Sequence, residues 1–184
     1  MALETPVCDF GLPAIEFKLP DTQGKIWTLE DCRGDNGLLV MFICNHCPYV
    51  KAIVERLVRD ARELQQYGIN SVAIMANDVT EYPEDSLENM QRIAEQAGFN
   101  FPYLYDESQQ VAKAYGAVCT PDFFGYNKAL QLQYRGRLDA SKKQAAEPGV
   151  RRDLLEAMKQ VAQTGHGPDT QIPSMGCSIK WRAA

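Results

Sequence analysis

The arrangement of apolar and polar positions along the chain predicts an α/β domain. A continuous apolar run of strand length at 38–43 is typical of a strand that is buried on both faces, and 69–76 forms a second apolar strand pattern. Between them, apolar residues recur at helical spacing from Val50 to Leu64, and charged residues at i,i+4 spacing occupy the opposite face. The pattern therefore predicts a strand–helix–strand unit at the centre of the domain.

Shorter patterns on either side of this unit predict the remaining elements. Alternating residues around a Gly-containing turn at 20–24 predict a β-hairpin over 15–29. The later elements are expected to be a helix from Pro83 to Gly98, a strand at 103–105, a helix from Asp106 to Tyr115, strands at 123–126 and 129–134, and a helix after Pro148. This order predicts a mixed central sheet flanked by helices, within one domain spanning 1–184.

The last twenty residues, 165–184, contain Gly, Pro and Ser with scattered apolar positions. We expect them to form an ordered tail that packs on the body of the domain. Its expected apolar anchors are Ile172, Met175, Ile179 and Trp181.

Composition and charge narrow the functional classes. The chain has 184 residues, of which 45% are hydrophobic, and a net charge of −5 with acidic and basic residues interspersed. This balance argues against a nucleic-acid partner or a basic membrane surface. No apolar stretch reaches the roughly 20 residues that span a bilayer, and the N-terminal residues lack the pattern of a signal peptide. We therefore expect a cytoplasmic location and no membrane partner.

Six cysteines in such a compartment indicate redox chemistry, metal binding or buried thiols, because structural disulfides are rare there. Cys44 and Cys47 form a Cys-x-x-Cys pair where the first central strand gives way to the helical pattern. Free N–H groups and the dipole at a helix N-terminus favour a thiolate. We expect Cys44 to lie at the helix start, exposed and attacking, and Cys47 to lie more buried in the first turn as the resolving thiol.

Other residues are expected near this pair. His46 lies between the two cysteines, and its imidazolium would stabilise a thiolate, although a solvated loop histidine fits the sequence equally well. Cys119 precedes the Thr120-Pro121 dipeptide, and Cys177 lies in the tail. Both fit buried thiols, and one of them is also a candidate for an additional redox partner. Cys8 and Cys32 belong to no motif and are expected to be structural.

The combination of Cys-x-x-Cys, Thr-Pro and a closing helix resembles the thioredoxin fold. Four segments are similar to peroxiredoxin-like redoxins of the alkyl hydroperoxide reductase/thiol-specific antioxidant group. They read Phe-x-Cys-Asn-His-Cys-Pro-Tyr-Val, Tyr-Gly-Ala-Val-Cys-Thr-Pro-Asp-Phe-Phe, Tyr-Arg-Gly-Arg-Leu-Asp and Gly-Cys-Ser-Ile-Lys-Trp. The resemblance implies a thioredoxin-like three-layer α/β/α sandwich and an antioxidant or related oxidoreductase role.

By resemblance, Cys44 and Cys47 take the dithiol roles, and Asn45, His46 and Pro48 adjoin them. The resemblance also implies that Pro121 is a cis-proline beside the dithiol, which would leave the Thr120 backbone free to pair with an extended substrate.

Three functions are compatible with these residues. The leading one is a thiol-disulfide oxidoreductase that acts on a protein or small-molecule disulfide, needs no cofactor, and uses a reductant that the sequence does not identify. The second is a peroxidase that uses Cys47, which aligns with the peroxidatic cysteine of the Pro-x-x-x-Thr-x-x-Cys motif. Val40 and Cys44 stand where that motif has Pro and Thr, which argues against it. The third is a Cu(I) or Zn(II) module built from Cys44, His46 and Cys47, with His166 as the sole remote histidine.

Overall fold

A computed structural model describes residues 1–183. Its strands are β1 (Ala2–Glu4), β2 (Lys18–Pro20), β3 (Ile26–Thr28), β4 (Gly37–Phe42), β5 (Ile69–Met75), β6 (Tyr103–Tyr105), β7 (Cys119–Thr120), β8 (Asp122–Asn127), β9 (Leu132–Tyr134) and β10 (Met175–Ser178). Its α-helices are α1 (Leu29–Cys32), α2 (Pro48–Lys51), α3 (Val54–Gln65), α4 (Leu87–Ala97), α5 (Gln110–Tyr115) and α6 (Asp153–Thr164).

The central sheet has the strand order β6-β5-β4-β8-β9. Strand β4 runs parallel to β5 and antiparallel to β8, which confirms the predicted mixed sheet. All six residues of β4 are buried, because the strand lies between two apolar cores. One face, with Leu39 and Met41, packs in a core with α3 and α6. The other face packs in a second core with the β2–β3 hairpin and α5, and its residues are Leu38, Val40 and Phe42. Apolar layers on both faces of the sheet explain why β4 reads as a continuous apolar run.

The long helix predicted after Cys47 is divided in two. Helix α2 begins at Pro48, which occupies the first helical position, and α3 begins at Val54 after a break at 52–53. Pro83 also opens a 3₁₀ turn rather than the expected α-helix, and α4 starts only after Ser86, whose hydroxyl accepts a hydrogen bond from the Asn89 N–H. Helical periodicity reveals neither the break at 52–53 nor the late start of α4.

Two further helix starts lie later than expected. Helix α5 begins at Gln110 rather than at Asp106, whose carboxylate instead accepts a hydrogen bond from the Ala112 N–H. The last helix, α6, begins at Asp153. No helix in the described range 1–183 has the length and apolar character that crossing a membrane requires.

The C-terminal tail is ordered by a strand that the sequence analysis missed. Strand β10 lies between β1 and β7 and pairs antiparallel with both. Ile179 is buried and Met175 is half-buried, whereas Ile172 and Trp181 are exposed, so two of the four expected anchors are wrong. Backbone pairing holds the tail, and this depends little on side-chain hydrophobicity. Ala184 lies outside the described residues.

Candidate active site

The loop between β4 and α2 carries both cysteines of the Cys-x-x-Cys pair. Strand β4 ends at Phe42, and Cys47 is the residue that precedes the first turn of α2. The helix thus begins next to Cys47, as expected, whereas Cys44 lies three residues before Cys47 because the chain bends at 45–46. The expectation that Cys44 is exposed at the helix start is wrong. Both side chains are buried, with 2% of Cys44 and 0% of Cys47 exposed.

Asp85, which the sequence analysis missed, fixes the bend of this loop. Its carboxylate accepts hydrogen bonds from the backbone N–H groups of Asn45, at 2.7 Å, and His46, at 3.2 Å. The side-chain amide of Asn77 donates to the same carboxylate at 2.8 Å. Asp85 is fully buried, and no local sequence pattern marks it, because its partners lie about 40 residues away.

The imidazole of His46 lies between an acid and an aromatic ring. Its Nδ1 is 2.6 Å from Oδ2 of Asp85, and its ring stacks on Tyr82 with centroids 5.3 Å apart. A ring nitrogen of His46, the sulfur of Cys44 and a carboxylate oxygen of Asp85 all lie within 4.8 Å of one another. His46 is therefore an oriented member of the site rather than a solvated loop residue.

The same three residues are the ones in the described range that could hold a metal ion. This set differs from the one expected from the sequence, because Asp85 takes the place of Cys47. His166 is exposed and hydrogen-bonds to Thr164 within its own loop. Oδ1 of Asp85 accepts hydrogen bonds from backbone N–H groups of the loop, and Oδ2 accepts one from the Asn77 amide.

Thr120 and Pro121 lie directly against the dithiol. The Thr120–Pro121 peptide bond is cis, which is the geometry that the resemblance implies. The Thr120 hydroxyl oxygen is 3.3 Å from the Cys44 sulfur, and the Cys47 thiol donates to the Thr120 carbonyl oxygen at 3.1 Å. One residue from β7 thus contacts both cysteines.

The backbone of Thr120 does not have a free pairing edge, which corrects the sequence-based expectation. Thr120 is paired with Cys177, and Cys119 is paired with Ser178, in the antiparallel β7–β10 ladder. The chain's own tail thus takes the position where an extended substrate was expected. Only the tertiary structure reveals this, because the two strands are separated by more than 50 residues.

The other four cysteines divide into two kinds. The Cys177 thiol and backbone N–H lie within hydrogen-bonding reach of the Cys47 sulfur. Cys119 is fully buried and donates to the Pro121 carbonyl oxygen at 3.6 Å, and burial raises the pKa of its thiol. Burial also raises the pKa of Cys8 to about 11 and that of Cys32 to about 12, which fits the expected structural roles of these two.

The electrostatic environment separates the two cysteines of the pair. Hydrogen bonds from the thiol of Cys44, from the thiol and N–H of Cys177 and from the N–H of Val50 lower the pKa of Cys47. The hydrogen bond to Cys47, burial and the nearby charge of Asp85 together raise the pKa of Cys44. The Cys47 thiol therefore loses its proton more readily than the Cys44 thiol does.

A cavity of about 540 Å³ opens beside Cys44. Its apolar wall includes Val50, Val54 and Phe99, and its polar wall includes His46 and Arg92. Cys44 lines this cavity and Cys47 does not. Of the two cysteines, Cys44 is the one that adjoins this cavity, which is large enough for a small disulfide.

Replacing Asp85 with Asn should lower the pKa of Cys44, because the carboxylate charge is one of the causes that raise it. The pH dependence of Cys44 alkylation measures this, and its midpoint should move to lower pH. Glu84→Gln is the matched control, since Glu84 is the neighbouring acid and lines the same cavity. If the midpoint in Asp85→Asn shifts no further down than in Glu84→Gln, or shifts to higher pH, the charge of Asp85 does not act on Cys44.

Comparisons with known proteins identify the family and the fold of the chain. Residues 10–158 match the model of the AhpC/TSA family. The chain is 27% identical over 106 residues to the thiol-disulfide oxidoreductase ResA of Halalkalibacterium halodurans, a match that covers 58% of this chain and 56% of ResA. The chain therefore spans little more than half the length of this curated relative.

Two solved structures resemble the whole chain. A crystal structure of an uncharacterized conserved protein from Geobacillus kaustophilus is 44% identical, covers 100% of this chain and 98% of its own, and has a TM-score of 0.93. A hypothetical protein from Sinorhizobium meliloti 1021 is 41% identical, covers 98% of this chain and 99% of its own, and has a TM-score of 0.90. A thioredoxin domain and a peroxidoxin, 16% and 17% identical, share the fold. The predicted thioredoxin-like α/β sandwich is thus confirmed.

Proposed function

Because this chain belongs to the AhpC/TSA family, and because its dithiol lies beside an open cavity, we propose that it is a thiol-disulfide oxidoreductase. The observation that carries the proposal is the placement of two buried cysteines with unequal pKa values, of which Cys44 alone lines the cavity. The similarity to ResA supports it. The direct test is the stoichiometric reduction of oxidised glutathione or insulin by the prereduced protein.

In the first step, Cys47 acts as the base for Cys44. The proton of the Cys44 thiol passes along the hydrogen bond to the Cys47 thiolate as a substrate disulfide enters the cavity. The Cys44 thiolate then attacks one substrate sulfur, which forms a mixed disulfide and releases the other sulfur as a thiolate. The Thr120 hydroxyl, 3.3 Å from the Cys44 sulfur, stabilises the transient Cys44 thiolate by donating a hydrogen bond.

In the second step, Cys47 resolves the mixed disulfide. The departing thiolate takes up the proton that Cys47 received, so Cys47 is again a thiolate. Cys47 attacks the Cys44 sulfur, forms the Cys44–Cys47 disulfide and releases the second half of the substrate. The Cys177 and Val50 N–H groups that lower the pKa of Cys47 keep it reactive although it is buried.

The shape of the site favours a small or locally protruding disulfide as substrate. An extended polypeptide cannot pair with Thr120, because β10 already occupies that edge. Access instead runs through the cavity beside Cys44. We therefore expect oxidised glutathione to be reduced at a rate at least comparable with that for insulin, and the ratio of the two initial rates measures this preference.

The peroxidase alternative requires that a peroxide reach the sulfur of Cys47. Cys47 is 0% exposed and does not line the cavity, and the hydroxyl nearest the pair, that of Thr120, contacts Cys44 instead. This geometry disfavours rapid peroxide reduction. The antioxidant role and the cytoplasmic location expected from the sequence both stay predictions.

Mild alkylation of the reduced protein should modify Cys44 before Cys47. Cys47 has the lower pKa, but an alkylating reagent reaches only the sulfur that adjoins the cavity. Peptide mass spectrometry after limited reaction with iodoacetamide measures the order. Faster modification of Cys47 would reverse the two roles and favour the peroxidase.

A further inference from the structure

The sulfur of Cys47 lies between two other thiols that come from different parts of the chain. On one side is Cys44, which lines the cavity. On the other side is Cys177 of β10, which packs against the apolar core that contains Cys47 and whose thiol and backbone N–H lower the pKa of Cys47 by hydrogen bonding. In the mechanism proposed above, the thiol of Cys44 takes part in bond formation, whereas Cys177 contributes only its backbone N–H.

Strand pairing, rather than chance proximity, places Cys177 there. Cys177 is paired with Thr120 in the β7–β10 ladder, and the Thr120 carbonyl oxygen is 3.1 Å from the Cys47 sulfur. Gly176 makes this close approach possible, because a Cβ atom at that position would collide with the Thr120 carbonyl oxygen. The Gly-Cys sequence of the tail is thus shaped to hold a thiol against the dithiol.

The two ends of this row of sulfurs face different surroundings. Cys44 is 2% exposed and adjoins the cavity, whereas Cys177 is half-buried at the opposite end, next to the N-terminal strand β1. Cys47 in the middle is fully buried. A small reagent therefore has separate approaches to the first and the third sulfur.

We propose that Cys44, Cys47 and Cys177 form a relay that moves a disulfide from the cavity to the C-terminal strand, where a dithiol reductant acts. This relay rests on the proposed oxidoreductase function, because it starts from the Cys44–Cys47 disulfide. The Cys177 thiolate attacks the Cys47 sulfur, the Cys47–Cys177 bond forms, and the Cys44–Cys47 bond breaks to leave Cys44 as a thiolate. No electrons are gained or lost in this exchange.

The reductant then completes the cycle at the tail. One thiolate of an external dithiol attacks the sulfur of Cys177 and releases Cys47, and its second thiol closes the reductant's own disulfide. Two electrons pass from the dithiol to the protein, which regains its Cys47 and Cys177 thiols. Substrate and reductant are thus handled at opposite ends of one row of sulfurs and do not compete for the cavity.

Disulfide mapping tests the relay on the full chain. Reduced wild type and the Cys44→Ser variant are treated with one equivalent of diamide, alkylated with N-ethylmaleimide and digested for mass spectrometry. We expect both Cys44–Cys47 and Cys47–Cys177 linkages in the wild type, and the Cys47–Cys177 linkage in Cys44→Ser. Fully alkylated Cys177 in both proteins would overturn the relay.

A kinetic measurement distinguishes the relay from the alternative that Cys177 lies near Cys47 but takes no part in disulfide exchange. Re-reduction of the oxidised protein by dithiothreitol should slow about tenfold in Cys177→Ser, since exchange rates depend on access to the attacked sulfur. Cys8→Ser is the matched control, because Cys8 is also half-buried and its pKa is also raised to about 11. Equal rates in the two variants would contradict the relay.

These outcomes are distinguishable from failure of the proposed function. If the wild type reduces glutathione disulfide and yields only the Cys44–Cys47 linkage, the relay is wrong and the oxidoreductase function stands. If the reduced wild type does not reduce either test disulfide, the proposed function itself is wrong.

Discussion

Replacing Cys44 with Ser should abolish reduction of both oxidised glutathione and insulin while the fold stays intact. Cys44 is the sulfur of the pair that adjoins the cavity, and a serine hydroxyl neither attacks a disulfide nor forms one with Cys47. The expected effect is complete loss of stoichiometric disulfide reduction. Far-UV circular dichroism and the thermal midpoint should change little, since the substitution is nearly isosteric.

Cys32→Ser is the control for this variant. Cys32 is buried to a similar extent, but it packs in the other core, on the opposite face of the sheet. It should retain disulfide reduction, which separates loss of the nucleophile from loss of a buried thiol. The wild type should also turn over hydrogen peroxide slowly. Rapid peroxide turnover that survives in Cys44→Ser would make Cys47 the centre of a peroxidase and refute the mechanism.

Replacing Arg135 with Met should produce the largest loss of stability. The Arg135 guanidinium, in a residue that is 8% exposed, donates to both carboxylate oxygens of fully buried Asp122, at 2.9 and 3.3 Å. Removing one partner of such a pair leaves an uncompensated buried charge, which typically costs about 3–5 kcal/mol. Urea unfolding measures the loss. Asp122 directly follows Pro121, so the dithiol surroundings should loosen as well.

The double variant Asp122→Asn/Arg135→Met is the control, because it removes the charge as well as its partner. It should recover part of the lost free energy of unfolding. The explanation would be contradicted if the double variant had a lower free energy of unfolding than Arg135→Met, as expected for two substitutions that destabilise the protein independently.

The Arg135→Met variant should also be more destabilised at pH 7 than at pH 5. Burial raises the pKa of Asp122, and hydrogen bonds from Arg135 oppose this rise. A carboxyl whose folded-state pKa is raised contributes stability at low pH that is lost as the pH rises through that pKa. Without Arg135 the folded-state pKa rises further, so the loss extends toward neutral pH. Equal destabilisation at both pH values would contradict this.

Much of the architecture could be predicted from the sequence because it depends on local patterns. The apolar segments at 38–43 and 69–76 predicted β4 and β5, since strands covered on both faces are rich in apolar residues. The position of the Cys-x-x-Cys pair between a strand and a helix was equally readable. Helix starts were less readable, because Pro83 and Pro148 allow a helix without specifying where its first hydrogen bond forms.

Only the tertiary structure decided which residues complete the site. Asp85 holds the dithiol loop from about 40 residues away, and β10 brings Cys177 to Cys47 from 130 residues away, so neither contact leaves a periodic signal in the sequence. Strand pairing depends on backbone groups that every residue carries, and therefore a Gly-Cys-Ser tail reads as a loop. The sequence by itself determined the fold class and the dithiol. The packing of distant segments determined which thiol ionises more readily, where the cavity opens and what occupies the Thr120 edge.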